Sequence, residues 1–365
     1  MANNVTCNPF GHRDYCNPNV FNPVMDVLYR NNGDGTFEEV TRKTGIDAAW
    51  GSGLGVVCAD FNGDDWTDVY VANDGNENQL WINKGDGTFE DTALFSGTAV
   101  NADGQPEAGM GVAAGDVDLD GDMDIFVTHL IGQTNTMYRN TGDGFFEDAT
   151  FAFGLGFVSR PSTGFGTGWF DYDNDGLDDL FCANGAVRLE DEVANGLYPY
   201  QQKNQLFHNE GDQGFTGAGG IAGAVLDLME VSRGAAFGDV DNDGDVDILV
   251  SNNNGPVRLL LNELGAANHW LSVALWRDDG NRFAVGARVS VIRTDGSRIT
   301  KRVHSDGSYC SAGDLRVHFG LADHASIRGV EVRWPNRKTE WWENLPIDQH
   351  VKLVQGSGSS KRVDE

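Results

Sequence analysis

Asp239, Asp241 and Asp243 alternate, Gly244 interrupts them and Asp247 closes the run, so the nine residues DVDNDGDVD set side-chain oxygens at positions 1, 3, 5 and 9. A backbone carbonyl at position 7 adds another oxygen, and glycine at position 6 lets the backbone reverse sharply. Such a surround suits calcium, which takes roughly 6–8 oxygens at about 2.3–2.6 Å. The frame returns as DFNGDDWTD at 60–68, DVDLDGDMD at 116–124 and DYDNDGLDD at 171–179. The predicted ligands are Asp60, Asn62, Asp64, Trp66 and Asp68; Asp116, Asp118, Asp120, Asp122 and Asp124; Asp171, Asp173, Asp175, Leu177 and Asp179; and Asp239, Asp241, Asp243, Asp245 and Asp247, with position 7 acting through its carbonyl. About four Ca2+ ions per chain follow. No histidine or cysteine stands in these frames, which argues against zinc or copper. Strand-like flanks, with Val71 and Val250 where an EF-hand needs its glutamate, argue against that motif. The first loop is irregular, with Asn62 at position 3, Asp65 at position 6 and Gly63 ahead of it, and is expected to be the poorest site.

The elements that position these loops also repeat. VLYRNNGDGTFEEVT at 27–41 is two strand-like runs around Asn32-Gly33-Asp34-Gly35, a hairpin signal because Gly, Asn and Asp accept the positive φ of tight turns. The hairpin returns at 80–92, 137–149 and 206–218, alternating with the acidic loops. One unit is then a Gly-rich strand such as GMGVAAGD, the loop, a second strand such as DIFVTHL, and the hairpin, which makes four strands. The fold class predicted is all-β, a β-propeller of four-stranded blades with calcium-binding loops between strands. A loop needed once per blade acts as a staple, since a cation that binds only the folded chain stabilises it. From Asn268 further strands follow without acidic loops. The expected organisation is an irregular N-terminal arm over 1–26, propeller repeats over 27–267, a terminal domain over 268–354 and a disordered tail over 355–365. If the terminal domain joins the ring and completes the 27–41 hairpin, about seven blades close; the alternative is a separate β-sandwich beside a smaller ring. The insertion at 184–202 is a candidate lid.

Composition narrows the partners. A formal charge of -29, from 55 acidic against 26 basic residues, repels nucleic-acid phosphate and no basic stripe relieves it. No 18-residue apolar run is present, so no membrane span is expected. Cys7 and Cys16 in the polar arm are predicted to pair in a local disulfide. That bridge, a glycosylation-type triplet at Asn4 and the demand for calcium favour a secreted or periplasmic home, although MANNVTCNPF itself lacks the features of a signal peptide.

Each loop with its preceding strand, FGDVDNDGDVDILV for example, resembles the FG-GAP or VCBS repeat of integrin-type propellers. The segment from Asn268 to about Leu353, with NHWLSVAL, NRFAVGARVSV, SYCS, VHFGL and VEVRWP, resembles an ASPIC/UnbV domain, although its WPSG-like corner reads Trp334-Pro335-Asn336-Arg337. Together they resemble the bacterial branch of the cartilage acidic protein family. The resemblance implies calcium-binding repeats and secretion, and implies no particular reaction.

If the acidic loops form one rim, the strand ends opposite share the other. That reasoning gathers Trp50, Asn73, Asp74, Met110, His129, Phe165, Asn184, Arg233 and Asn253 around one mouth, where a small molecule or an extracellular protein or polysaccharide is expected to bind. His12, Asp14 and Tyr15 are candidates to fold over it. An alternative makes the mouth the active site of a biosynthetic or carbohydrate-modifying enzyme, with His129 and Arg233 as its catalytic candidates; another makes the protein an extracellular adhesion module.

Overall fold

The structure is a computed structural model that describes residues 7, 16, 18–188, 200–278 and 280–360. His12, Asp14, Tyr15, the Asn4 triplet and 189–199 of the candidate lid lie outside the described residues. Cys7 and Cys16 form a disulfide, their Cα atoms 5.2 Å apart.

The chain opens with a two-stranded hairpin, β1 (Tyr29–Asn31) and β2 (Phe37–Glu39). Its turn forms as the residues require: Gly33 and Gly35 take positive φ, and Asp34 accepts hydrogen bonds from the Thr36 backbone and hydroxyl. Four antiparallel sheets follow. The first is β3 (Gly53–Ala59), β4 (Asp68–Asn73), β5 (Gln79–Asn83) and β6 (Phe89–Asp91); the second is β7 (Val112–Gly115), β8 (Asp124–Val127), β9 (Thr136–Asn140) and β10 (Phe146–Asp148). The third is β11 (Gly164–Phe170), β12 (Asp179–Asn184), β13 (Gln205–Asn209) and β14 (Phe215–Gly217), and the fourth has three strands, β15 (Ser232–Gly238), β16 (Asp247–Asn252) and β17 (Arg258–Leu260). The acidic loops join the first and second strand of each sheet.

The sheets stack face to face in a propeller-like succession, each interface carrying its own apolar layer. Val57, Tyr70 and Leu80 meet Val112, Ile125 and Tyr138; Phe126 and Met137 meet Leu180 and Phe207; Phe170 and Phe181 meet Ala235 and Val250. The first strands run side by side, close enough that glycine is required: a Cβ on Gly111 would lie 1.9 Å from the Phe165 carbonyl, and one on Gly166 2.4 Å from the Ala235 nitrogen.

An asparagine ending the third strand adds a repeated bond between sheets. Asn140, Asn209 and Asn262 donate their side-chain amides to the carbonyls of Phe61, Val117 and Tyr172, each at position 2 of the preceding sheet's loop, at 2.9, 3.1 and 2.7 Å. Asn140 also reaches the Met123 carbonyl and is 1% exposed. Asn140→Ala therefore leaves buried carbonyls unpaired and is expected to destabilise the protein by about 1–3 kcal/mol, measured by denaturant titration with an unchanged m-value.

The C-terminal strands differ from the seven-blade expectation. β18 (His269–Trp276), β19 (Arg288–Arg293), β20 (Arg298–Arg302), β21 (Val317–Ala322), β22 (Ile327–Arg333), β23 (Thr339–Glu343) and β24 (Gln349–Val354) pair only with one another among the described residues, in the orders β21-β18-β24 and β20-β19-β22-β23. Leu271, Val289, Val291, Phe319, Val330 and Trp334 fill one core between the two sheets, so this is the β-sandwich alternative, and the β1–β2 hairpin stays two-stranded. A second difference concerns the tail. Trp341 and Ser359 exchange backbone hydrogen bonds, and Gly356 and Gly358 donate to Glu340, so the chain is ordered to Ser360; 361–365 lie outside the described residues.

The sandwich does not sit beside the repeat sheets but over their acidic loops. Arg288 meets Asp60 of the first loop, and Leu119 of the second packs on the sandwich core. At the third, the Ala322 amide donates to the Asn174 carbonyl at 2.8 Å; at the fourth, Arg316 donates to the Asp239 carbonyl at 2.6 Å. One sandwich segment runs along all four first strands. Asp306 accepts from the Cys58 amide at 2.5 Å, Ser308 exchanges backbone bonds with Val112, and the Ser308 hydroxyl donates to Ala235 and accepts from the Thr167 amide. The Asp314 amide then donates to Phe237.

Candidate cation loops and the opposite rim

Each acidic loop is prefolded by its own carboxylates. Position 1 accepts from the amide of position 6 at 2.8–3.1 Å in all four loops (Asp60, Asp116, Asp171, Asp239). Position 5 accepts from the amide of position 7 (Asp64, Asp120, Asp175, Asp243). Position 9 spends one oxygen on the amide of position 2 and the other on a third-strand amide, as Asp124 does with Val117 and Asn140. Asp68, Asp179 and Asp247 repeat this. A carboxylate oxygen with one such bond keeps a lone pair for a metal.

The decisive atoms are those left over. Asp116 Oδ1, Asp173 Oδ1 and Asp239 Oδ1 are buried and accept no hydrogen bond, one in each of loops two, three and four. In the same loops, Asp116, Asp118 and Asp120, then Asp171, Asp173 and Asp175, then Asp239, Asp241 and Asp247 each bring oxygens within 4.8 Å of one another. Burial pushes Asp116 up to about 7, Asp124 to about 8 and Asp179 to about 6, and raises Asp171 well above the carboxylate range. Buried acceptors without donors, in a cluster that holds its charge only at such cost, fit a divalent cation. These three loops would hold it, and its role would be to neutralise them.

Loop one does not fit. Its irregular sequence keeps the common backbone, since positions 4 and 6 are left-handed in every loop: Gly63 and Asp65 here, Leu119 and Gly121, Asn174 and Gly176, Asn242 and Gly244 elsewhere. Asn62 stands where the other loops carry an aspartate, its carboxylates at positions 1, 5 and 9 do not gather in one cluster among the described residues, and none of its buried oxygens lacks a partner.

Two histidines correct the expectation of surroundings free of imidazole. His208, from β13, lies 3.1 Å from Asp179 and 3.7 Å from Asp173, and its hydrogen bond to Asp179 raises it to about 9. His350 lies 3.3 Å from Asp239. Both reach the loops across strands, so no local motif could show them. At position 7, Asp245 turns its carboxylate away, accepting from Asn174 and from the Gly265 amide.

At the opposite strand ends, three expected mouth residues form one structural series. The amides of Asn73, His129 and Asn184 donate to Asn78, Asn135 and Asn204, and their side chains face the carbonyls of Glu77, Thr134 and Lys203 at 2.8–2.9 Å. Asn252, rather than Asn253, is the fourth member, donating to Pro256. His129 thus occupies an asparagine's place; it is 1% exposed and burial lowers its pKa. Arg233 donates to the carbonyls of Gly185, Ser232 and Ala186 and stacks 4.2 Å over Phe165. Phe165 in turn meets Tyr309 of the axial sandwich segment edge-on at 4.9 Å. Met110 and Phe165 are buried, Asp74 bridges Ala108 of the next repeat, and Trp50 is 62% exposed. Tyr309, which the repeat pattern could not place, therefore stands where the mouth was expected. Two cavities lie instead under the sandwich: one of about 150 Å³ lined by Asp116, Asp239, Lys301, His304 and Ser308, and one of about 250 Å³ lined by Asp60, Arg288, Arg302, Arg333 and Trp334.

The FG-GAP-like repeat model matches residues 19–71, 60–127 and 171–250, and the ASPIC and UnbV model matches 277–360. Cartilage acidic protein 1 of Xenopus tropicalis is 30% identical over 285 residues, covering 74% of this chain and 40% of that protein. The Homo sapiens protein of the same name is 30% identical over 308 residues, covering 82% of this chain and 43% of its own. The chain thus spans under half the length of these relatives. Among solved structures, an Agrocybe aegerita lectin that recognises non-reducing terminal N-acetylglucosamine is similar at a TM-score of 0.41 and 17% identity, over 78% of this chain and 75% of that one.

Proposed function

Since the chain belongs to the cartilage acidic protein family, joining FG-GAP repeats to an ASPIC and UnbV domain, we propose that it is a secreted or periplasmic binding protein, a propeller clasped by calcium in its acidic loops, whose ligand or partner engages the rim opposite those loops. The four repeat sheets serve as blades in this reading. One observation supports the choice of rim: among the described residues the two sheets of the sandwich lie over the acidic loops, with Arg316 on Asp239 and Ala322 on Asn174, and not over the far strand ends. There Trp50 is exposed, and Phe165, Arg233 and Tyr309 form a rigid aromatic and cationic group. Large aromatic side chains at low conformational cost are what binding surfaces use as anchors. The Cys7–Cys16 bridge supports an oxidising compartment.

The test is a panel of immobilised extracellular polysaccharides and matrix proteins probed in calcium and in chelator, with Trp50→Ala and Tyr309→Ala beside the unmodified chain. A panel member is expected to bind in calcium, with affinity falling roughly tenfold or more in a variant that still melts normally. Binding that both variants retain in full would move the site elsewhere.

A further inference from the structure

Loop one departs from the other three in sequence and also in what faces it. Its backbone is theirs and its acidic content is similar, yet no buried oxygen waits for a cation. The positive charge there comes from the sandwich. Arg288 donates to Asp60 Oδ2 at 2.7 Å, Arg333 pairs with Asp65, and Arg337 lies 4.0 Å over the Trp66 ring. Asp60 also accepts from the amides of Asp64 and Asp65, as Asp171 of loop three does from Asp175 and Gly176, so the guanidinium is what sets Asp60 apart. A guanidinium held against the position-1 carboxylate neutralises it, and its planar fork suits that contact.

We infer that loop one is not a cation site but the docking loop of the C-terminal sandwich: Arg288 and Arg333 supply the charge that a divalent ion supplies to loops two, three and four, so the chain takes three such ions and not four. The inference rests on the calcium reading of the other three loops. It also gives the irregular sequence a reason. Asp65 at position 6 provides Arg333 with a carboxylate that glycine could not, and aspartate is among the residues that tolerate a left-handed backbone.

Elemental analysis of the full chain after equilibrium dialysis against calcium tests the count. Three ions per chain are expected. Asp64→Asn, at an exposed position of loop one, should leave three, whereas Asp118→Asn and Asp241→Asn, exposed in loops two and four, should each leave two. Four ions, or a loss of one on Asp64→Asn, overturns this inference and leaves the calcium reading standing; a count near zero overturns the calcium reading itself. The docking role has a metal-free readout. Arg288→Gln combined with Arg333→Gln should lower the melting temperature by a similar amount in calcium and in chelator. An unchanged melting temperature in both buffers overturns the clamp.

Discussion

Stripping calcium at pH 8 is expected to lower the melting temperature by roughly 15 °C or more. An ion that binds only the folded chain, present at about a hundred times its dissociation constant, adds about 2.7 kcal/mol, and three would add about 8. At about 2–4 °C per kcal/mol, a fall of that size follows. The pH dependence of the stripped protein provides a second signature. Burial raises Asp68 and Asp116 to about 7 and Asp124 to about 8 in the folded state, above the unfolded value of 3.8. The folded chain therefore binds more protons than the unfolded one across this range, and the stability tied to these groups is lost as pH rises through 7 to 8. Stripped protein should melt higher at pH 6.5 than at pH 8.5, while calcium-loaded protein gains nothing, because protons then compete with the ion. Below about 6.5 His318 works against this trend and makes it shallower: burial and the Lys301 charge hold it down to about 3, so it resists a proton that the unfolded chain accepts. Differential scanning calorimetry with and without chelator at the two pH values checks both statements. Equal melting curves with and without calcium would remove the clasp.

The part of this arrangement legible in sequence is the part made by neighbours along the chain. The loop carboxylates, the Gly-Asp-Gly hairpins and the strand alternation lie within a dozen residues of each other, and their spacing carries the geometry. The bonds that hold sheet to sheet do not. Asn140, Asn209 and Asn262 reach carbonyls 79, 92 and 90 residues away, and asparagine after a strand also signals a turn, so the local reading had no reason to choose the longer bond. Arg288 meets Asp60 across 228 residues. The expected mouth shows the same limit: at these strand ends the side chains of His129 and Arg233 bond to backbone carbonyls, which no local motif displays. The terminal strands do not complete the blade begun by the 27–41 hairpin because they already pair with one another, in the orders β21-β18-β24 and β20-β19-β22-β23.

Asp306→Ala is the single substitution expected to do most harm, about 3–5 kcal/mol and on the order of 10 °C in melting temperature. Asp306 stands where the axial segment meets the first repeat. One carboxylate oxygen accepts from the Cys58 amide at 2.5 Å, and the other faces Arg302 at 2.7 Å and His304 at 3.2 Å. Burial would raise its pKa, but the His304 bond and the Arg302 charge prevail and hold it well below the usual carboxylate range. Arg302 is 9% exposed, donates to the Cys58 carbonyl, and has two further nitrogens buried without partners. Removing Asp306 strands that guanidinium away from water with no counter-charge, which costs more than the lost hydrogen bonds alone. The cause can be separated from simple loss of contact. If stranded charge dominates, Arg302→Met added to Asp306→Ala should recover a large share of the loss, because the pair is then absent instead of broken. If the contacts to Cys58 dominate, the double variant should melt no higher than the single one. Because Tyr309 lies on the same segment just after Asp306, ligand binding at the far rim should fall with Asp306→Ala even below its melting temperature, which ties the anchor at the first repeat to the surface proposed to carry function.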